Sequence, residues 1–353
     1  MDLPTLWFVL IAVLWGGYFL LEGFDFGVGV LLPFLPRDED ERSEMFDSIG
    51  PVWDGNEVWL VVAGGATFAA FPAWYATMFS GFYEALLLVL VCLIVRVLSF
   101  EWRKKSDDPR WRARWTWANT IGSIGAAFVW GVALSNLVQG VPLNSSGDYA
   151  GNFWDLFSPY TVFAGIMTVL LFAWHGATYL SLRTRGDLLD RAAGAARKLA
   201  PPTAVGVIVL LAWTVAVAVD NNAREVLGPA VPAALGGLAL ILALVLGRRH
   251  RGGWAFVMTA LATVLLVATI FTSLYPRVMV SSPEFMNSLT VAGASSSHYS
   301  LKVMTIVAVI LIPVILIYQS WTYYVFRERV GGRRPAASPV EALSPKPDEA
   351  PGE

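Results

Sequence analysis

The chain holds one cysteine and three histidines in 353 residues, and only 15% of its residues are charged. The single thiol, Cys92, excludes a disulfide within the chain and every cysteine-based metal or haem-attachment motif. His175, His250 and His298 are too few to ligate several haems in bis-histidine pairs, and they supply a histidine-ligated binuclear metal centre no better. No P-loop, dinucleotide fingerprint or soluble domain is visible. The alternating pattern of an outer-membrane barrel is also missing. The start, Met1-Asp2-Leu3-Pro4, lacks the basic region and small-residue cleavage site of a signal peptide, so the first helix is expected to be retained.

What the chain has instead is apolar length. Hydrophobic residues make up 56% of it, 15 are Trp, and the mean hydropathy is +0.57. A soluble domain of this size could not cover that much apolar surface, which points to an all-α membrane protein. Nine apolar segments are predicted, at 5–31, 50–71, 74–100, 116–139, 158–182, 202–220, 229–247, 254–275 and 302–326. Each is long enough for ~30 Å of hydrocarbon at ~1.5 Å per residue.

Lysine and arginine orient the bundle. Twenty-one of them fall in the segments 32–49, 101–115, 183–201, 248–253 and from Arg327 onward. The opposite side carries three, Arg224, Arg277 and Lys302, and Arg96 lies within the third segment. The bias predicts nine transmembrane helices with the N-terminus outside and the C-terminus cytoplasmic. Trp7, Trp74, Trp102, Trp111, Trp115, Trp117, Trp154, Trp254, Trp321, Tyr323 and Tyr324 fall near segment ends, where interfacial anchors are expected. Residues 1–330 then form one transmembrane domain. Residues 331–353, rich in Pro, Ala, Ser and Glu, are expected to be a disordered cytoplasmic tail.

Four carboxylates break the apolar pattern. Each costs roughly 3 kcal/mol at the bilayer centre, so four in two adjacent segments need a reason. Glu22 and Asp25 are three apart and share a helix face, beside Gly23, Gly27 and Gly29, which admit a close neighbouring backbone. Both fall in the inner half of the membrane. Asp54 and Glu57 repeat the spacing where the second segment opens, flanked by Trp53 and Asn56. Capping of a helix start by negative charge accounts for part of that second pair; a proton or ion route accounts for all four. Arg96 either snorkels to the interface or pairs with a carboxylate of the first two helices. Glu84 is expected some ~15 Å deep in the third helix, a carboxyl held protonated for want of a partner. His250 reads as part of a basic loop, His298 lies in an outer loop, and His175, near the middle of the fifth helix, reads as a packing residue rather than a ligand.

The runs Glu22-Gly-Phe-Asp-Phe-Gly-Val-Gly, Pro51-Val-Trp-Asp-Gly-Asn-Glu-Val-Trp-Leu, Phe71-Pro-Ala-Trp-Tyr-Ala, Phe79-Ser-Gly-Phe-Tyr and Gly151-Asn-Phe resemble subunit II of the cytochrome bd-type quinol oxidases. Gly176-Ala-Thr-Tyr-Leu and Ala292-Gly-Ala-Ser-Ser-Ser, followed by Met304, fit the same family, so the likeness runs from the first helix to the ninth. The resemblance implies a subunit of a quinol:O2 oxidoreductase in the respiratory chain, reducing O2 to water and generating proton motive force without a pump. It implies a pseudo-symmetric heterodimer in which subunit I carries two b-type haems, one d-type haem and the quinol site, with small accessory subunits and lipid as further partners. No haem or metal is expected on this chain, although some relatives hold a structural quinone here, and no nucleic acid is expected. The place implied is the bacterial cytoplasmic membrane. Matched by position, Asp54 is a proton-path residue, with Asp25, Glu57 and Glu22 beside it, and Trp59 lines an oxygen channel. Two residues depart from the family pattern: His175 stands where Gln is familiar, and Glu84 where an apolar residue is. The short outer loop between the sixth and seventh helices is a third departure. Buried carboxylates, an intramembrane Arg and Gly-interrupted helices also suit an ion-coupled secondary transporter, but no internal repeat accompanies them. A purely structural scaffold for the haem subunit is the third reading.

Overall fold

A computed structural model describes residues 2–222, 225–282 and 284–331. Arg224 and the tail from residue 332 lie outside the described residues. The elements in chain order are α1 (Leu3–Leu31), α2 (Glu39–Ile49), α3 (Trp53–Ala70), α4 (Pro72–Gly81), α5 (Tyr83–Trp102), α6 (Pro109–Gln139), α7 (Pro159–Arg183), α8 (Gly186–Asn222), α9 (Leu227–Arg248), α10 (Gly252–Leu274), α11 (Val291–Ala294) and α12 (His298–Val325). A two-stranded antiparallel ladder, β1 (Arg277–Met279) with β2 (Leu289–Thr290), sits in the connection before α11.

Eight helices, α1, α5–α10 and α12, are long and apolar enough to cross a membrane. The chain is a multi-pass, all-α membrane protein. The second predicted segment is α3, an 18-residue helix whose Asp54, Asn56 and Glu57 lower its hydropathy. The local chemistry of the starts is legible. Asp2, Asp108 and Ser158 accept hydrogen bonds from first-turn N–H groups of α1, α6 and α7, and a proline stands in the first turn of each.

α1 is the axis of the bundle. It packs against α3, α6, α7, α10 and α12, and residues 22–29 are buried in an unbroken run of eight. A helix buried on every side cannot be amphipathic, which is why its charges read as anomalies in an otherwise apolar segment. The closest approach is to α7 at Gly27 and Gly176. A Cβ on Gly27 would collide with the carbonyl of Phe172, and one on Gly176 with the backbone of Gly27. Gly122 of α6 does the same for α5, since a Cβ there would stand 2.6 Å from the Cys92 carbonyl oxygen. Small residues let backbones meet where hydrophobic force between helices is lost to lipid.

Three expectations need correction. The predicted segment 74–100 is not one helix: it breaks at Phe82 into α4 and α5, because the chain turns at Pro72 and again after Gly81. Glu84 therefore stands exposed in the first turn of α5 rather than deep in the membrane. Its charge and that of Asp155 lie near Tyr149, whose hydroxyl is raised to about 12, chiefly by burial. Trp7 and Trp74 are not interfacial anchors. Trp7 is buried and donates to Leu301 O at 3.2 Å and Thr305 Oγ1 at 3.0 Å, and Trp74 is buried against Phe8, Phe71 and Phe271.

Gly176→Val should therefore be among the most damaging single changes outside the polar centre. Overpacking a filled contact costs about 1–3 kcal/mol where side chains can shift, and backbone cannot. The purified protein should show a clearly lower thermal midpoint by size-exclusion monitoring, whereas Gly194→Val, where a Cβ meets open space, should not.

Candidate functional site

The site forms where α1, α3, α5 and α12 meet. Tyr18, Glu22 and Asp25 follow one another along α1 at spacings of four and three, so they line one face. Arg96 of α5 reaches that face. Its Nη1 stands 2.5 Å from Glu22 Oε1, with both side chains fully buried, and 3.4 Å from Glu57 Oε2 of α3, whose side chain keeps 19% exposure. The guanidinium lies over Phe26 at 4.9 Å and near Phe100 at 5.9 Å. Both rings present their negative faces to the cation.

Asn56 links this centre to α12. Its amide donates to Asp25 Oδ2 at 2.7 Å, while its Oδ1 accepts from the Tyr323 hydroxyl at 2.7 Å and from Gln319 Nε2 at 3.3 Å. Behind Arg96 a second layer fixes the backbone of α5. Asn119 Nδ2 donates to Ser99 Oγ at 2.8 Å and to Arg96 O at 3.3 Å, and Thr120 Oγ1 donates to Gly29 O at 2.8 Å. Glu22 Oε2, Asp25 Oδ1 and Arg96 Nε and Nη2 find no hydrogen-bond partner among the described residues. Three carboxyls facing one guanidinium in a dry interior cannot all be ionised at small cost. The arrangement is chemically suited to holding and passing a proton.

The structure thus brings Glu22, Asp25, Glu57 and Arg96 together. It does not bring in Asp54, which is exposed in the first turn of α3, three residues before Glu57. Trp59 is half-buried on the next turns of α3, its ring seated on Gly17 of α1, where a Cβ would collide with it. Gln319, Tyr323 and Tyr18 also belong to the site, although no charge marks them in the sequence. Gln319 and Tyr323 share a face of an apolar helix at a spacing of four, and Tyr18 precedes Glu22 by the same step. A polar residue one turn from another inside an apolar run was the available signal.

His175 has both ring nitrogens engaged, Nδ1 with Thr259 Oγ1 at 2.8 Å and Nε2 with Leu20 O at 3.2 Å. Its ring stacks on Phe256 at 4.6 Å. His250 and His298 are exposed, and no group of three His, Cys, Asp or Glu is placed to hold a metal among the described residues. The histidines present do not fit an axial haem ligand buried in this bundle.

Removing Arg96 alone should leave Glu22, Asp25 and Glu57 without a counter-charge. Arg96→Leu should destabilise by about 3–5 kcal/mol, and Glu22→Gln in the same chain should recover part of that loss. A double-mutant cycle on thermal or denaturant stability should show non-additivity of about 1 kcal/mol or more; strict additivity would mean that the two side chains do not interact.

A family model described as cytochrome bd terminal oxidase subunit II matches residues 3–326. Subunit 2 of the cytochrome bd ubiquinol oxidase of Bacillus subtilis is 44% identical over 336 residues, covering 95% of this chain and 98% of its own. The corresponding subunit of the Escherichia coli bd-I ubiquinol oxidase is 40% identical, with 91% and 93% covered. A chain in the structure of bd oxidase from Geobacillus thermodenitrificans superposes with a TM-score of 0.71 over 92% of this chain and 99% of its own; at 17% identity it speaks for the fold alone.

Proposed function

The chain belongs to the cytochrome bd terminal oxidase subunit II family, and from that premise we propose how it serves a complex that oxidises quinol and reduces O2. Membership makes it a subunit of a quinol oxidase whose complex contains haem and a subunit I. In our reading the bundle has nine spans, counting α3, with its N-terminus outside and its arginine-rich end in the cytoplasm of a bacterium. Two b-type haems, one d-type haem and the quinol site reside in subunit I, and the two subunits form a pseudo-symmetric pair. The blocked nitrogens of His175 support that division of labour.

The observation that carries the role of this subunit is the buried cluster of Glu22, Asp25 and Glu57 around Arg96, with exposed Asp54 one turn away. Reduction of one O2 to two waters takes four electrons, from two quinols, and four protons. Asp54 collects protons at the cytoplasmic surface and hands them to Glu57. Glu57 leads inward to Glu22 and Asp25, while Arg96 limits how many carboxyls are protonated at once. Quinol releases its own protons on the outer side, so charge is separated without a pump. The side chains of Asn56 and Tyr323 carry the cluster to α12. Of that helix only Leu301 is buried, and Val309, Ile317 and Tyr318 are exposed, so α12 together with the open faces of α3 and α5 is the surface on which subunit I would sit. Trp59, on α3 beside that surface, lines the oxygen route in the same reading.

Purified alone, the chain should lack haem bands. Co-expressed with its subunit I it should give b and d bands and quinol-driven O2 consumption, and His175→Gln should leave those bands in place. Haem bound by the chain alone, or lost with His175, would overturn the assignment.

Within that pair, Asp54→Asn should lower turnover severely at unchanged haem content. Asp25→Asn should be milder and Glu84→Gln near wild type. Equal losses in all three would reject the route, and no loss in Asp54→Asn or Asp25→Asn would favour a purely structural scaffold.

A further inference from the structure

At the arginine-rich end of the bundle, away from the carboxylate cluster, α7, α8, α9 and α10 enclose an open cavity of about 720 Å³. Arg197, Arg248, Arg251 and Arg329 line it together with His250, and Asp190 is the acidic residue on its wall. None of the four arginines makes an ion pair among the described residues. Arg197 Nη1 is 3.4 Å from His250 Nδ1, and Arg329 Nη1 donates to Thr184 O at 3.2 Å. Four guanidinium groups on one cavity, opposed by one carboxylate, are a large local excess of positive charge held close together.

Two further features converge on the same space. The tight connection from α9 to α10 is made with His250 at φ +58, in the left-handed region that few non-glycine residues enter. It delivers the N-terminus of the 23-residue α10 into the cavity, and no side chain caps that terminus. The first N–H groups of a helix and its dipole favour an anion there. The floor is different in kind, being built from Trp174, Ala196, Ala200 and Ala243, all buried. The cavity therefore has a cationic mouth at a helix end and an apolar, small-residue interior running between membrane helices.

We propose that this cavity binds a phosphate-bearing anion, with guanidinium groups and the α10 N-terminus on the phosphate. The apolar floor points to a phosphate carried on an acyl chain, as in an anionic membrane lipid, since a free phosphate would leave the floor unused. Basic pockets between transmembrane helices at a charged membrane face recognise lipid headgroups in this way.

The test uses the subunit pair, delipidated and returned to nanodiscs of dioleoyl-phosphatidylglycerol or dioleoyl-phosphatidylcholine, with retained lipid counted by native mass spectrometry. Wild type should retain phosphatidylglycerol at least ~10-fold better than the choline lipid, consistent with several surface arginines each favouring the anion. Arg248→Gln with Arg251→Gln should abolish that preference. Displacement of the lipid by excess inorganic phosphate, with phosphate alone protecting the pair against heat, would assign the site to free phosphate and overturn the acyl-chain assignment. Equal retention of the two lipids with no effect of phosphate would overturn the proposal altogether. If the double variant does not assemble, a photoactivatable phosphatidylglycerol on the wild-type pair decides: attachment within 247–255 supports the site, and attachment only elsewhere rejects it.

Discussion

The structure turns on one guanidinium. Arg96 is fully buried, touches Glu22 at 2.5 Å and Glu57 at 3.4 Å, and comes from a helix, α5, that has no other charge in its interior turns. Bare, it would be prohibitively costly in this medium, and so would the carboxylates. Paired, the costs offset in part, and the remainder fixes geometry. The close approach of α5 to α6 at Gly122, the bonds from Asn119 and Ser99 to the Arg96 turn, and the contact of Thr120 with Gly29 are all means of presenting that group to α1. Loss of any of them moves a charge rather than a methyl group.

The same constraint explains why α1 is buried around its full circumference between residues 22 and 29. Lipid cannot face Glu22 or Asp25, so protein must, and five neighbouring helices supply it. The glycines that permit such crowding lie on the same segment as the charges. Packing and polarity are thus one requirement here: a larger residue at Gly27 would part α1 from α7, and water or lipid would reach the carboxylates.

Much of this was legible in the residues. Carboxylates in an apolar run beside Gly23, Gly27 and Gly29 pointed to a close helix neighbour, and each predicted segment except 74–100 corresponds to a single helix. The break at Phe82 was hidden because apolar length measures how much chain is hydrophobic, not where it turns; Pro72 and Gly81 mark the ends of the short helix only once its direction is known. Glu84 was misplaced for that reason alone. Trp7 and Trp74 were misread because aromatic residues near a helix end serve the interface or the core equally well, and only the neighbouring helices decide. Asn56 looked like an accessory of Asp54 and Glu57, yet it faces Asp25 and α12, since its hydrogen bonds run between helices far apart in sequence.

The placement of Asp54 narrows what the cluster can be. If all four carboxylates were buried around Arg96, the group could be read as a static knot whose charges cancel. Instead one acid stands at the surface, one is partly exposed, and two are sealed, in an order that follows the helices inward. A knot has no need of a graded series, and a cap has no need of the inner pair. In the proposed route, this graded exposure would let a proton leave water and enter the buried interior in steps. The bond from Tyr323 to Asn56 ties the cluster to α12, the helix that this chain leaves most open to a neighbour, and in the proposal the route would lead that way.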